Sequence, residues 1–110
     1  MKIGQAVLGK FPYKDGKIPQ YSRPYLVVGV TTQNIELLVV SSLAGKEHKL
    51  SYPSNHLINN FNPPFFKKSF VKLDSLFSIP LVQSSSLIVL QNGAMLDPNE
   101  LSLILAKLAK

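Results

Sequence analysis

The sequence predicts a mainly β domain that ends in one α-helix. Three observations carry this expectation. Short runs of β-branched and aromatic residues alternate with Gly, Pro, Asn and Ser clusters along most of the 110 residues. Such runs form strands and such clusters form turns. Residues 25–30 (YLVVGV) are apolar throughout, as a strand covered on both faces is. The last fourteen residues instead combine a helix-start signal with a helical period.

Residues 3–10 form the first expected strand, stopped by Phe11-Pro12. A polar loop follows over residues 13–22. Residues 25–30 are a second, central strand, and residues 35–42 a third of the same apolar, β-branched character. Residues 47–52 read as a fourth, paired back through the turn Ala44-Gly45-Lys46. Residues 53–68 carry three prolines and four asparagines and read as a long connection, with one helical turn near residues 55–58. A loop of that length in a small domain is usually functional or mobile. Residues 69–73 are a further strand, and residues 78–82 and 86–91 are shorter ones. Asn92-Gly93 is a hairpin signal, with residues 94–96 pairing back. Asp97 is a helix N-cap, Pro98 stands at the first helical position and Glu100 at the third. Leu101, Ile104, Leu105 and Leu108 recur on one helical stripe, and Lys107 and Lys110 end the helix where its dipole favours cations. Short strands and one terminal helix make a single domain over residues 1–110, a small barrel of SH3-like size with the helix closing one side.

Twelve basic residues against six acidic ones leave a formal charge of +6. That surplus suits an anionic partner, whether nucleic acid, acidic protein or membrane surface, without choosing among them. The chain has no cysteine, which removes disulfides, thiolate metal sites and cysteine nucleophiles and fits a reducing cytoplasm. The N-terminus enters a strand pattern at once, with no signal-peptide pattern, and no apolar stretch reaches spanning length. A soluble cytoplasmic protein without membrane contact is expected.

Two segments carry a family resemblance. The first runs Gly4-Gln5-Ala6-Val7-Leu8-Gly9-Lys10-Phe11-Pro12, then the polar loop, then Arg23-Pro24-Tyr25-Leu26-Val27-Val28. It resembles the opening of the MazF/PemK toxins: a glycine, an apolar strand ending in Phe-Pro, a variable loop, Arg-Pro and an apolar strand. The second, from Ser69-Phe70-Val71-Lys72-Leu73-Asp74 to Ile79, is similar to the later segment of that family. Leu96-Asp97-Pro98-Asn99-Glu100-Leu101 resembles its capped terminal helix. The order is kept over nearly the whole chain. Gln5 replaces an acidic residue, Tyr25 replaces a small one, and the loop over residues 53–68 is longer than the family's. The resemblance implies a MazF/CcdB-type SH3-like barrel that forms a homodimer.

Candidate site residues follow from chemical type and from this resemblance. Arg23 stands between loop and central strand, with Pro24 fixing the backbone after it. A guanidinium there can grip two phosphate oxygens, and the matching family arginine is catalytic; a structural arginine capping loop carbonyls is the alternative. Ser42 aligns with the family's site threonine, and Ser41 exchanges roles with it if the register slips by one. Lys72 and Asp74 stand where PemK-type toxins place an acid–base pair, although related toxins use an acidic residue there at the subunit contact. Lys14 and Lys17 in the first loop are candidate phosphate contacts. Phe65-Phe66-Lys67-Lys68 suits base stacking with phosphate neutralisation, or two rings plugging a barrel end beside solvated lysines. His48 reads as an exposed polar residue. The two histidines, His48 and His56, lie eight apart without any cysteine, so no metal-ligand spacing is present and no cofactor is expected.

The function that the resemblance implies is that of a type II toxin: a metal-independent, sequence-preferring endoribonuclease cutting single-stranded mRNA. Its partners would be that RNA and a cognate acidic antitoxin, with DNA reached only through the antitoxin complex. The rival is a toxin of the same fold that binds a protein such as DNA topoisomerase and cuts no RNA.

Overall fold

A computed structural model describes residues 1–12 and 16–109. Seven strands form one antiparallel sheet: β1 (Ala6–Gly9), β2 (Arg23–Val30), β3 (Asn34–Ser42), β4 (Asn55–Ile58), β5 (Ser69–Lys72), β6 (Phe77–Pro80) and β7 (Ile88–Val89). The C-terminal helix α1 covers Pro98–Leu108. The mainly β character and the terminal helix are as the sequence predicts. The path of the sheet runs β4-β5-β3-β2-β1-β7, and no pairing among the described residues joins its two ends.

The centre of the sheet is β2 against β3, with Tyr25 opposite Val39 and Val27 opposite Leu37. A bulge follows between Val27 and Gly29. Gly29 leaves room there for the Glu36 side chain, which a Cβ would displace. The apolar run of β2 is explained by two cores, one on each face of the sheet. Leu26, Val28, Leu38, Val40, Val71 and Ile104 belong to the core beneath α1. Val7, Tyr25, Val27, Ile35, Leu37 and Ile79 belong to the other.

The far edge of β3 is shared. Its C-terminal half pairs with β5, placing Val40 opposite Val71, and its N-terminal half pairs with β6, placing Leu37 opposite Phe77. A 3₁₀ turn, Leu73–Ser75, interrupts this edge. Ser75 repairs the interruption. Its hydroxyl donates to the Lys72 carbonyl at 2.6 Å and accepts from the Val39 amide at 2.9 Å. A backbone donor that the break would strand is thereby satisfied.

The start of α1 follows the sequence signals closely. Asp97 accepts from the amides of Asn99 and Glu100, both at 3.1 Å, and Pro98 opens the helix. Glu100, however, is buried, and its Oε1 accepts from the Asn59 and Asn60 amides at 2.7 and 2.9 Å. It ties the helix to the chain leaving β4 rather than serving the helix alone. Leu101, Leu105 and Leu108 pack onto the core beside Ile104. Lys110 lies outside the described residues.

Four expectations are corrected. Glu47–Ser51 is a 3₁₀ segment, not a strand, and its side chains stay outside the core. Residues 55–58 form β4, not a helical turn, because β5 offers them a full ladder from Asn55–Lys72 to Ile58–Ser69. The first strand is shorter than residues 3–10, since only Ala6–Gly9 finds a continuous partner in β2. The Asn92-Gly93 hairpin does not form. Gln91 and Asn92 both take positive φ, and Met95 bridges to Gln5 rather than folding back on β7.

Candidate functional site

The strand pairing decides which side chains meet. Opposite residues in an antiparallel pair point to one face, and neighbours along a strand alternate. The register that sets Tyr25 against Val39 continues to set Arg23 against Ser41. Val71 shares the face of Val40, so Lys72, the next residue of β5, turns to the face of Val39. Arg23, Tyr25, Val39, Ser41 and Lys72 therefore share one face, and Ser42 points to the other.

Two clefts border Arg23. The first, of about 390 Å³, lies between Phe11, Arg23, Tyr25, Lys72, Asp74 and Phe77. Its floor is an aromatic trio. The rings of Phe11 and Tyr25 are 5.4 Å apart, and Phe77 lies 5.5 Å from each. Their edge-to-face and tilted geometry is the favoured one for aromatic rings. Gly9, opposite Arg23, makes room for this floor, since a Cβ there would come within 2.8 Å of the Phe11 ring. The second cleft, of about 580 Å³, is lined by Lys17, Tyr21, Arg23, Ser41, Ser42 and Lys46. Arg23 forms part of both walls.

The electrostatics join these residues into one cluster. Lys72 is held below its ordinary lysine value, first by burial and then by the positive charges of Lys49, Arg23 and Lys46, with Asp74 pulling the other way. Both causes disfavour the ammonium form. Concentrating like charges around a half-buried lysine is unfavourable for the free protein, and an anion in the clefts relieves it. Ser41 is 3% exposed, and its hydroxyl accepts from Lys46 Nζ at 3.1 Å. That bond leaves the hydroxyl proton available to a ligand oxygen.

The expected site residues are thus only partly assembled. Arg23, Lys72 and Asp74 line the first cleft, and Lys17 lines the second. Ser41 and Ser42 both line the second cleft with Arg23; Ser41 lies on Arg23's face of the sheet, and Ser42, one residue further, on the opposite face. Lys67 lines a separate cleft of about 250 Å³ with Leu8, Pro24, Phe65 and Phe66. The Lys68 carbonyl accepts from the Leu43 amide, and its exposed side chain lines none of these clefts. The two phenylalanines divide between the readings left open: Phe65 is 3% exposed and plugs the core, and Phe66 is 67% exposed. His48 is exposed. Lys14 lies outside the described residues.

Lys46, Lys49, Ser75 and the aromatic floor were not legible as site residues. Lys46 and Lys49 stood within or beside an expected strand, and nothing short of the β3 register brings them to Arg23. Among the described residues no group of three or more His, Asp or Glu side chains is placed to hold a metal ion, and no helix is long and apolar enough to cross a membrane. Compared with known proteins, the chain matches no family model and no curated sequence.

Proposed function

We propose that this protein is a MazF/PemK-like toxin of a type II toxin–antitoxin system, a metal-independent endoribonuclease that cuts single-stranded mRNA. The observation that carries the reading is the meeting of Arg23, Lys72 and Asp74 around one cleft with an aromatic floor. A nucleotide offers such a cleft a phosphate for the cations and a base for the rings.

The chemistry follows from these groups. The ribose 2′-hydroxyl attacks the adjacent phosphorus, giving its proton to the Asp74 carboxylate. A bond forms between O2′ and phosphorus, and the bond from phosphorus to O5′ breaks. Lys72 gives a proton to the departing O5′, a transfer favoured by the surroundings that lower its proton affinity. Arg23 holds the non-bridging oxygens as charge builds on them. The products are a 2′,3′-cyclic phosphate and a 5′-hydroxyl end.

The sheet is read as the SH3-like barrel of these toxins, with β3 shared between its two halves, and the working form as a cytoplasmic homodimer. The cognate antitoxin is an acidic segment that covers the basic clefts, and DNA is contacted only through that complex.

Incubating the pure protein with a long RNA in EDTA tests the reading. Discrete cuts with 5′-hydroxyl ends, abolished by Arg23→Ala, are expected. Cleavage that EDTA abolishes would overturn the metal-independent reading, and RNA left intact with or without EDTA would leave the rival toxin that binds a protein such as DNA topoisomerase.

A further inference from the structure

The second cleft has chemistry of its own that a single scissile phosphate does not use. Its wall is Ser41, nearly sealed from solvent, with Lys46 donating to the hydroxyl. Lys46 is itself fixed. Its amide closes a turn on the Leu43 carbonyl at 2.8 Å, with Gly45 in the left-handed region at φ 74°. The 3₁₀ segment Glu47–Ser51 then carries Lys49 one turn further. The side-chain amide of Asn55 pins that segment by donating to the Lys49 carbonyl at 2.9 Å. The segment has no buried side chain and is tied down by this bond just beyond Lys46, which lines the cleft. Across the same cleft stand Lys17 and Tyr21, the latter 77% exposed.

We infer that Ser41 and Lys46 form a second phosphate subsite, with the charge of Lys49 nearby, so that one nucleic-acid strand lies across both clefts with Arg23 between two successive phosphates. The inference rests on the reading of the first cleft as a nucleotide site. Arg23 belongs to both walls, so the two clefts adjoin at its side chain. One phosphate cannot occupy both. The charges of Lys46 and Arg23, from the second cleft, and of Lys49 reach Lys72 in the first. Each cleft also pairs its cations with an aromatic group, the ring trio in the first and Tyr21 in the second. Alternating charge and ring suits a strand of phosphates and bases better than an acidic peptide, which has carboxylates alone for the cations.

The test measures binding of a fluorescent 2′-deoxy hexanucleotide, which has no 2′-hydroxyl to react, across a range of KCl concentrations. The slope of log affinity against log salt should fall in magnitude by about 0.7 for each phosphate that the variant no longer neutralises. Lys46→Ala with Lys49→Ala is expected to flatten the slope and weaken low-salt affinity about tenfold. Lys46→Arg with Lys49→Arg should restore both. A dinucleotide with one phosphate should bind wild type and double variant alike. Because Lys46 braces a buried hydroxyl, Lys17→Glu, at an exposed side chain lining the same cleft, serves as a second variant and should weaken hexanucleotide binding in the same way. An unchanged slope in these variants overturns the subsite, as does equal displacement by polyglutamate of matching charge. RNA cleavage measured in parallel separates the two claims. Cuts with an unchanged slope remove the subsite alone, and a flattened slope without cuts removes the nuclease alone.

Discussion

Arg23 opens β2 opposite Gly9, at the one place where the walls of both clefts meet. Replacing it with alanine deletes the guanidinium without touching either core. The expected result is a drop in RNA cleavage of about 10²–10³-fold, with the urea midpoint little changed. The serines give a sharper comparison. Ser41→Ala removes the hydroxyl on Arg23's face and should cost roughly tenfold in kcat, the size of one hydrogen bond. Ser42→Ala changes the opposite face and should leave kcat within about twofold, since no bond of that size is removed there. Equal losses at both positions in a gel-based cleavage assay would refute the register argument. Lys72→Met removes a cation that its neighbours disfavour. It should raise the unfolding midpoint while lowering cleavage, because cations gathered to hold an anion repel one another in the free protein.

At the scale of elements, the break between β5 and β6 matters most. Those strands share the edge of β3, each pairing with a different half of it. The three-residue turn between them, Leu73–Ser75, carries Asp74 and follows Lys72 directly. Ser75 holds the turn through the Lys72 carbonyl and the Val39 amide. Ser75→Ala should therefore cost about 1–3 kcal/mol in urea unfolding, the penalty for a stranded buried donor. It should also reduce kcat, although Ser75 is given no chemical step. The helix offers a control far from the clefts. Glu100→Ala strands the Asn59 and Asn60 amides and should destabilise by about 3 kcal/mol. The surviving folded fraction should cut RNA at the normal rate.

For the whole molecule, pH reads the joint between sheet and helix. His56 on β4 faces Glu100 at 3.6 Å, and Lys107 Nζ lies 2.8 Å from its Nδ1. Its pKa is held below the ordinary 6.5, chiefly by burial, then by Lys107, with the nearby Glu100 carboxylate opposing. The unfolded chain then binds a proton near pH 6.5 that the folded protein refuses until the pH is lower. Unfolding is favoured as that proton is taken up, so this contribution is complete above about pH 6.5 and declines as the pH falls toward the folded value. The urea midpoint should drop between pH 7 and pH 5.5, and His56→Gln should flatten the drop. A midpoint that rises over this interval would show that Glu100 outweighs burial and Lys107.

Much of this molecule is local. The apolar run of β2 marked the centre of the sheet, and Asp97-Pro98 marked the start of α1, because propensity and capping act over three or four residues. Arg23, Lys72 and Asp74 were visible as site candidates from chemical type and from a resemblance in order along the chain. Residues 47–52 and 55–58 were misread for a different reason. Neither stretch has a strong preference, and the outcome rested on whether a neighbouring strand had free backbone groups to pair. Phe65 and Phe66 are chemically identical, yet one is core and the other is surface. Composition and short-range patterning determined a basic, mainly β chain with a capped terminal helix. Register, face and the company of Ser41, Lys46 and Lys49 came only with the folded sheet, since a ladder between strands far apart in sequence sets them and a single-residue slip inverts every side chain.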